Sequence, residues 1–445
     1  MAKSLLALLT LPLLVTAQVQ PPVAIRNAKI VTISGPVLNK GTIVLRNGLI
    51  EDLGENVIPP AGAWVIDGEG MTVYPGLIDP LSTLGIPPVV VTPGAPTTTT
   101  TTAAGPPARG PEDRPRTTSW ERAADKIRNT DTRIDSARNA GFTSATTFPT
   151  TGIFAGQGVL FNLAGDNPSK MIVESPTGQF MSLTAGGGAG GGRSYPSSGM
   201  GVFAYVRQIF IDLDYYERAK AAYEKDPTGK QRPAYDRALE GVKESPRLLL
   251  PANSKVEIER VSLLAAELKK PYILYGVLEG YRSAAQLKAA GAPVLISTKW
   301  PTKSAGADPD GEEPLRILEF REQAPTTPSV LAKAGVKFAL FSDGQTTAEF
   351  LKGVRTAIER GLAHDDAVKA LTLSAAEMFG AGNRLGSLDK GKIANIVVTK
   401  GDLLSDKSSI QYVFVDGNKF IPSLDGPVTL PTGRGTGRPR NGGVE

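Results

Sequence analysis

Apolar residues in this chain come in short bursts, and the spacing between bursts changes twice. From Val23 to Asp67 the bursts are brief and divided by turn residues. Ala24–Val31 predicts a strand that Gly35-Pro36 breaks, Thr42–Leu45 predicts a second, and Arg46-Asn47-Gly48 supplies a hairpin turn into Leu49-Ile50. The same texture returns near the other end, with Ile393–Thr399, then Tyr412–Val415, then an Asp416-Gly417 turn. Two strand-rich ends around a different middle predict one small β-domain assembled from both.

In the middle, apolar runs at Val73–Ile78, Phe142–Phe148, Val159–Leu163, Leu248–Leu250, Tyr272–Leu274, Val294–Ile296 and Phe338–Phe341 are separated by long polar stretches. Several of those stretches have helical spacing, such as Val256–Leu268 and Ala348–Arg360, and Val202–Glu224 predicts a longer helix packed on the outside. Strand–helix alternation requires parallel strands with crossover helices. The number of runs fits a barrel better than a small open sheet. The expected fold is α/β: a TIM-type (β/α)8 barrel plus a small β-sandwich domain built from both chain ends. The expected boundaries are 18–72 and 388–425 for the β-domain and 73–387 for the barrel.

Two segments interrupt the pattern. Residues 87–118 are Pro- and Thr-rich, with a threonine run from Thr97 to Thr102, and residues 185–201 are Gly-rich. The glycines do not make a phosphate cradle, because the Lys-Ser/Thr ending of a P-loop and the spacing of a dinucleotide fingerprint are both missing. Residues 87–118 are expected to be an extended, mobile excursion and 185–201 a flexible loop over the barrel mouth. At the start, Lys3, the apolar stretch Leu5–Val15 and the short side chains Val15-Thr16-Ala17 read as a signal peptide over 1–17. The expected location is periplasmic or secreted, and no membrane span is expected. The tail 426–445 is Gly- and Arg-rich and is expected to be disordered.

Composition narrows the function classes. Among 445 residues, 49 are basic and 44 acidic, giving a net charge of +5 with no basic stripe interleaved with aromatics, which argues against nucleic-acid binding. There is no cysteine, so a disulfide or a cysteine-borne lipid anchor is excluded. There is one histidine, His364. Catalytic zinc sites use about two or three imidazoles, so one histidine cannot fill such a site. His364 precedes Asp365-Asp366, which suit the first turn of an outer helix. No Gly-x-Ser-x-Gly elbow is present.

Val65-Ile66-Asp67-Gly68 followed by Val73-Tyr74-Pro75-Gly76-Leu77-Ile78-Asp79 resembles the barrel entry of the amidohydrolase superfamily, in its imidazolonepropionase-like group. Ala140–Ala145, Leu250–Asn253, Phe341-Ser342-Asp343, Ala370-Leu371-Thr372 with Ala375-Ala376, and Gly386-Ser387-Leu388 with Gly391-Lys392 are similar to later segments of that family. The resemblance spans roughly residues 23–420. It implies descent from hydrolases of non-peptide C–N bonds that use zinc or another divalent metal. It also implies a His-x-His ligand pair after the first-strand aspartate. Here Leu81 and Thr83 occupy those two positions, and Pro251 occupies a later histidine position. Leucine has no donor atom, and a lone threonine hydroxyl is a poor ligand for a transition metal.

Asp343 is retained and is the candidate catalytic residue. Lys299 and Glu279, each just beyond a strand, and Gln157 in Gly156-Gln157-Gly158 are the candidate substrate contacts, with Lys299 also a candidate ion-pair partner of Asp343. Leu81, Thr83, Pro251 and Asp343 are expected to converge at the barrel mouth. The function expected is that of a pseudoenzyme without metal or other cofactor. It would bind a small-molecule ligand or a partner, either another copy of itself or an active, histidine-bearing homologue. Two other readings stay open: an active hydrolase with an atypical site centred on Asp343, and a structural oligomer subunit.

Overall fold

The computed structural model describes residues 21–87, 110–185, 195–303, 306, 308 and 311–422. The expected signal peptide, the expected tail and most of both interrupting loops lie outside the described residues.

Five strands open the chain: β1 (Val23–Ile30), β2 (Leu38–Arg46), β3 (Leu49–Gly54), β4 (Trp64–Asp67) and β5 (Met71–Pro75). The middle supplies β6 (Leu77–Ser82), β7 (Phe142–Thr147), β8 (Phe154–Gln157), β9 (Val159–Asn162), β10 (Ile172–Glu174) and β11 (Gln179–Met181). It continues with β12 (Leu248–Ala252), β13 (Tyr272–Gly276), β14 (Val294–Ser297) and β15 (Phe338–Phe341). The chain closes with β16 (Ile396–Lys400), β17 (Ser409–Val415) and β18 (Asn418–Phe420).

Both chain ends share one eight-stranded sheet, in the order β18-β17-β16-β5-β1-β2-β3 with β4 also paired to β1. The join is the antiparallel β5–β16 pair, with Val73 opposite Val398. Two hairpins carry positive φ at both turn residues, Asn47 (52°) with Gly48 (79°) and Asp416 (52°) with Gly417 (74°), the geometry that Asn-Gly and Asp-Gly favour. Ile25, Ile30, Ile43, Val73, Ile396 and Phe414 form the core of this unit. The pairings join these strands in a single sheet, and a division into the two layers of a sandwich does not follow from them.

The apolar run Val73–Ile78 is split between two sheets, which moves the expected boundary at residue 73. β5 ends in the terminal sheet and β6 begins the next one, with Gly76 between them. A side chain at Gly76 would place its Cβ 2.0 Å from Thr143 Oγ1, so only glycine allows the passage.

The middle strands form a four-stranded sheet, β10-β9-β7-β6, and a six-stranded sheet, β15-β14-β13-β12-β11-β8. This corrects the expectation of a closed parallel barrel. β6–β7 and β11 through β15 are parallel pairs, but β9 runs antiparallel to β7 and β8 antiparallel to β11. The chain passes from one sheet to the other at Gly158, where a Cβ would sit 2.1 Å from the Phe148 ring. On the far side, Ser342 of the β15 end donates its N–H to Asp79 of β6, 3.3 Å away. The sheets therefore curve around a common interior.

Side-chain alternation defines that interior. Leu249, Ile273, Leu295, Ala339 and Phe341 face inward with Ile78, Leu81, Phe148, Leu160 and Phe180. Leu248, Leu250, Leu274, Val294, Ile296, Phe338 and Leu340 face outward and pack under the helices. These strands are apolar on both faces because both are buried.

The helix Lys255–Leu268 begins at a reciprocal Ser254/Glu257 cap and buries Ile258, Val261, Leu264, Ala265 and Leu268. The helix Thr347–Glu359 begins at the matching Thr346/Glu349 cap. The outer helix Gly199–Lys225 buries Val202, Tyr205, Val206, Ile209, Leu213 and Tyr216. Among the described residues no helix is long and apolar enough to cross a membrane.

Candidate functional site at the strand ends

The C-terminal ends of the parallel strands carry chemistry in folds of this kind, because their loops converge there. At that end Asp343 follows β15 with φ +50°, a left-handed conformation that Asp tolerates better than most residues. The turn leaves Asp343 exposed, and its Oδ2 accepts a hydrogen bond from Ser297 Oγ at 2.9 Å. Ser297 ends β14 and is buried; its Oγ in turn accepts the backbone N–H of Lys299 at 3.1 Å. That contact leaves the Ser297 proton committed to the carboxylate.

Directly behind lies Asp79, buried in β6. Its Oδ1 accepts the backbone N–H of Ser342 at 3.3 Å and of Leu81 at 3.4 Å. Burial pushes this carboxyl up to about 7, the negative charge of Asp343 adds to the rise, and the hydrogen bonds from Ser342 and Leu81 oppose it. Tyr275, in β13, lies level with Pro251 of β12 and Leu295 of β14. Burial, then the Asp343 charge, raises its phenol well above the ordinary value, and its hydroxyl donates to Met181 O at 2.9 Å. Its ring stacks on Phe180 with centroids 5.1 Å apart, and Phe180 lies 6.0 Å from Phe148. The strand ends thus carry an exposed carboxylate, a buried acid behind it and the half-buried Tyr275, backed by the buried Phe180 and Phe148 rings.

Leu81 is 7% exposed and belongs to the interior core. Pro251 shares the inward face of β12 with Leu249, two residues apart on one strand. Thr83 has left the strand. It is exposed, and its Oγ1 and carbonyl oxygen accept from the Arg133 guanidinium at 3.0 and 2.8 Å. It therefore does not converge with Leu81, Pro251 and Asp343, because the chain bends out of the interior after Ser82.

The candidate substrate contacts go elsewhere. Gln157 is fully buried, and its Nε2 donates to Gly241 O at 3.1 Å. It pairs with Gln179, which pairs with Leu248, the first residue of β12, so it lies at the opposite end of the strands from Pro251. Glu279 caps a helix, its Oε2 accepting the Lys255 N–H at 2.7 Å. Lys299 is exposed, and its charge acts on Glu349, at the start of the helix Thr347–Glu359, rather than in an ion pair with Asp343. His364 opens the helix His364–Ala370 and meets Asp402, Nε2 to Oδ2, at 2.8 Å, on the outer surface.

A metal of the family's kind needs about three protein donors. Among the described residues no group of three or more His, Cys, Asp or Glu side chains is placed to hold a metal ion. Asp343 and Asp79 are two donors, and Asp79 is spent on two backbone N–H groups. The residues present do not fit a catalytic zinc.

A separate concavity of about 1180 Å³ lies on the outside, between Asp113–Trp120, the helix Gly199–Lys225 and Gln231–Leu239. It contains none of the strand-end residues, and three of the charges that line it, Arg114 with Asp212 and Asp236, are paired with one another.

Sequence reasoning gave Asp79, Ser297 and Tyr275 no role in the site. The signal for Asp79 was legible: a carboxylate inside the apolar run Leu77-Ile78-Asp79. Ser297 and Tyr275 carry no such mark, because only strand register turns them inward.

Residues 311–420 match the model of the amidohydrolase family. No curated protein matches the chain. An amidohydrolase from Thermotoga maritima is similar in structure, with a TM-score of 0.73 and 25% identity over 90% of this chain and 100% of that one. A Xaa-Pro dipeptidase with bound methionine in the active site gives a TM-score of 0.53 and 16% identity over 90% of this chain and 100% of that one. A prolidase complexed with N-methylphosphonate-L-proline gives 0.53 and 15% over 90% and 99%. The likeness to the last two is one of fold.

Proposed function

We propose that this chain, which belongs to the amidohydrolase superfamily, is a secreted member that has given up metal-dependent hydrolysis and uses its strand-end mouth to bind a small molecule or a partner. One observation carries the reading. Leu81 and Pro251 stand on the interior face where the family resemblance implies metal-binding imidazoles. A site that lowers the pKa of a bound water cannot be built on a leucine and a proline. Asp343 then faces ordinary water, a far weaker nucleophile. The carboxylate remains exposed and held by Ser297, as a recognition group would be.

The test is elemental analysis of the purified mature protein, with thermal melts in added zinc and manganese. The expected result is far less than one metal per chain and no rise in Tm, since only a native-state site shifts the folding equilibrium. Near-stoichiometric metal, with metal-dependent cleavage of a cyclic amide or a Xaa-Pro dipeptide lost in Asp343→Asn, would overturn it in favour of an active hydrolase centred on Asp343. Size-exclusion chromatography alone and with a histidine-bearing homologue tests the pairing with itself or with an active partner.

A further inference from the structure

We propose that the strand-end mouth binds a small organic cation, an alkylammonium or guanidinium group, seated on the Asp343 carboxylate against the Tyr275–Phe180 aromatic pair. The inference rests on the ligand-binding reading above and names the ligand class of that site.

Charge is the first argument. Asp343 is exposed, and its carboxylate receives one hydroxyl hydrogen bond, from Ser297. Asp79 lies behind it; burial raises Asp79 and Tyr275, and the negative charge of Asp343 adds to both rises. Among the described residues no lysine, arginine or histidine pairs with either carboxyl group. Lys299, the nearest candidate in sequence, is exposed, and its charge acts on Glu349. A mouth with leucine and proline walls screens charge less than water does, so a bound cation gains more there than at the open surface.

The aromatic row is the second argument. Tyr275 and Phe180 stack at 5.1 Å and an interplanar angle of 26°, and Phe180 continues to Phe148. Aromatic faces attract organic cations, and more so when water is excluded. A bare metal ion gains nothing comparable from rings and needs donors that this site lacks.

The third argument is independent of both. Thr146 in β7 is fully buried, and its Oγ1 has no hydrogen-bond partner. Thr146 sits opposite Leu160, an interior residue, so its side chain shares that inward face. Its carbonyl accepts from Ser82 Oγ, which fixes it beside the end of β6 that carries Leu81. Buried hydroxyls without partners are rare and costly. A ligand N–H group reaching inward from Asp343 would satisfy this one.

The experiment titrates the metal-free full chain with n-butylammonium and methylguanidinium chloride, read by calorimetry and thermal shift. n-Butanol, sodium acetate and sodium chloride at matched ionic strength serve as controls. Saturable binding of a cation is expected, with no response to the alcohol, acetate or salt. Asp343→Asn should weaken the cation about tenfold or more, the loss expected when a charge-assisted hydrogen bond is removed. Asparagine tolerates the left-handed turn, so this variant should fold, and an unchanged Tm without ligand checks that it has. Thr146→Val and Tyr275→Leu should each weaken binding several-fold. Equal response to alcohol and cation, or an Asp343→Asn variant that binds as well as the parent, would overturn the inference. A metal-free, inert protein that ignores both cations sinks this inference and leaves the pseudoenzyme reading standing. One metal per chain with turnover sinks both.

Discussion

Asn395 Nδ2 donates to Asn162 Oδ1 at 2.8 Å, across the joint between the terminal sheet and the four-stranded sheet. The same nitrogen donates to Ser144 Oγ at 2.9 Å, Ser144 donates to Asn162 at 3.0 Å, and Asn395 Oδ1 accepts the Asp416 N–H at 2.8 Å. All three side chains are buried. The amide uses both of its chemistries, donating inward and accepting from the hairpin.

Aspartate matches asparagine in shape but cannot donate from its side chain when ionised, so Asn395→Asp should destabilise the chain. A carboxylate has no N–H to give, and it would face the Asn162 acceptor. The loss should be on the order of 3 kcal/mol at neutral pH in urea denaturation, and smaller in acid, where the carboxyl regains a proton. Equal stability of variant and parent at pH 7 would show that the network does not hold the joint.

Asp79 gives a stability that depends on pH. Burial raises its folded carboxyl from 3.8 to about 7, so the folded chain holds this proton more tightly than the unfolded chain does. The contribution is present below the unfolded value, falls as pH rises through that window, and is flat above it. Asp79→Asn keeps the acceptor oxygen and removes the titration. The stability of Asp79→Asn relative to the parent should rise with pH across the window by on the order of a few kcal/mol. Parallel pH profiles for the two proteins would show that Asp79 does not titrate this way.

Thr83 fixes the outcome of a simple rescue. Its hydroxyl is held by Arg133 outside the interior. In Leu81→His/Thr83→His the second imidazole would meet a guanidinium, not the first imidazole. Added zinc should not raise Tm in this variant, and amide cleavage should stay at background. A zinc-dependent Tm rise of several degrees would show that the loop can swing back.

Gly353 sits in the helix Thr347–Glu359 against the end of β14, where its carbonyl accepts Trp300 Nε1 at 2.8 Å. An added Cβ would come 2.5 Å from Thr298 O. Helix propensity favours alanine by about 1 kcal/mol, whereas overpacking costs roughly 1–3 kcal/mol. Because the clash is with backbone, Gly353→Ala should be net destabilising, lowering the urea midpoint. A raised midpoint would mean that the helix can step back from the strand.

Local chemistry determined much of this protein. The strand bursts, the two hairpin turns, the outer helices and the meeting of both chain ends were legible, because each depends on residue type and short-range spacing. Tertiary structure decided the rest. Whether β8 and β9 run with or against their neighbours is set by a bend at Gly158 that a barrel template hides, and the antiparallel result keeps the sheets separate. Gln157 and Glu279 looked like mouth residues because they follow plausible strands. Strand register sends Gln157 to the far end, and Glu279 is drawn onto a helix terminus that needs an acceptor. Thr83 is two residues from Leu81 in sequence, yet an arginine from another segment pulls it out of the interior. Asp79, Ser297 and Tyr275 matter because three separate strands bring them beside Asp343, and that proximity is a property of register and curvature, which no single segment encodes.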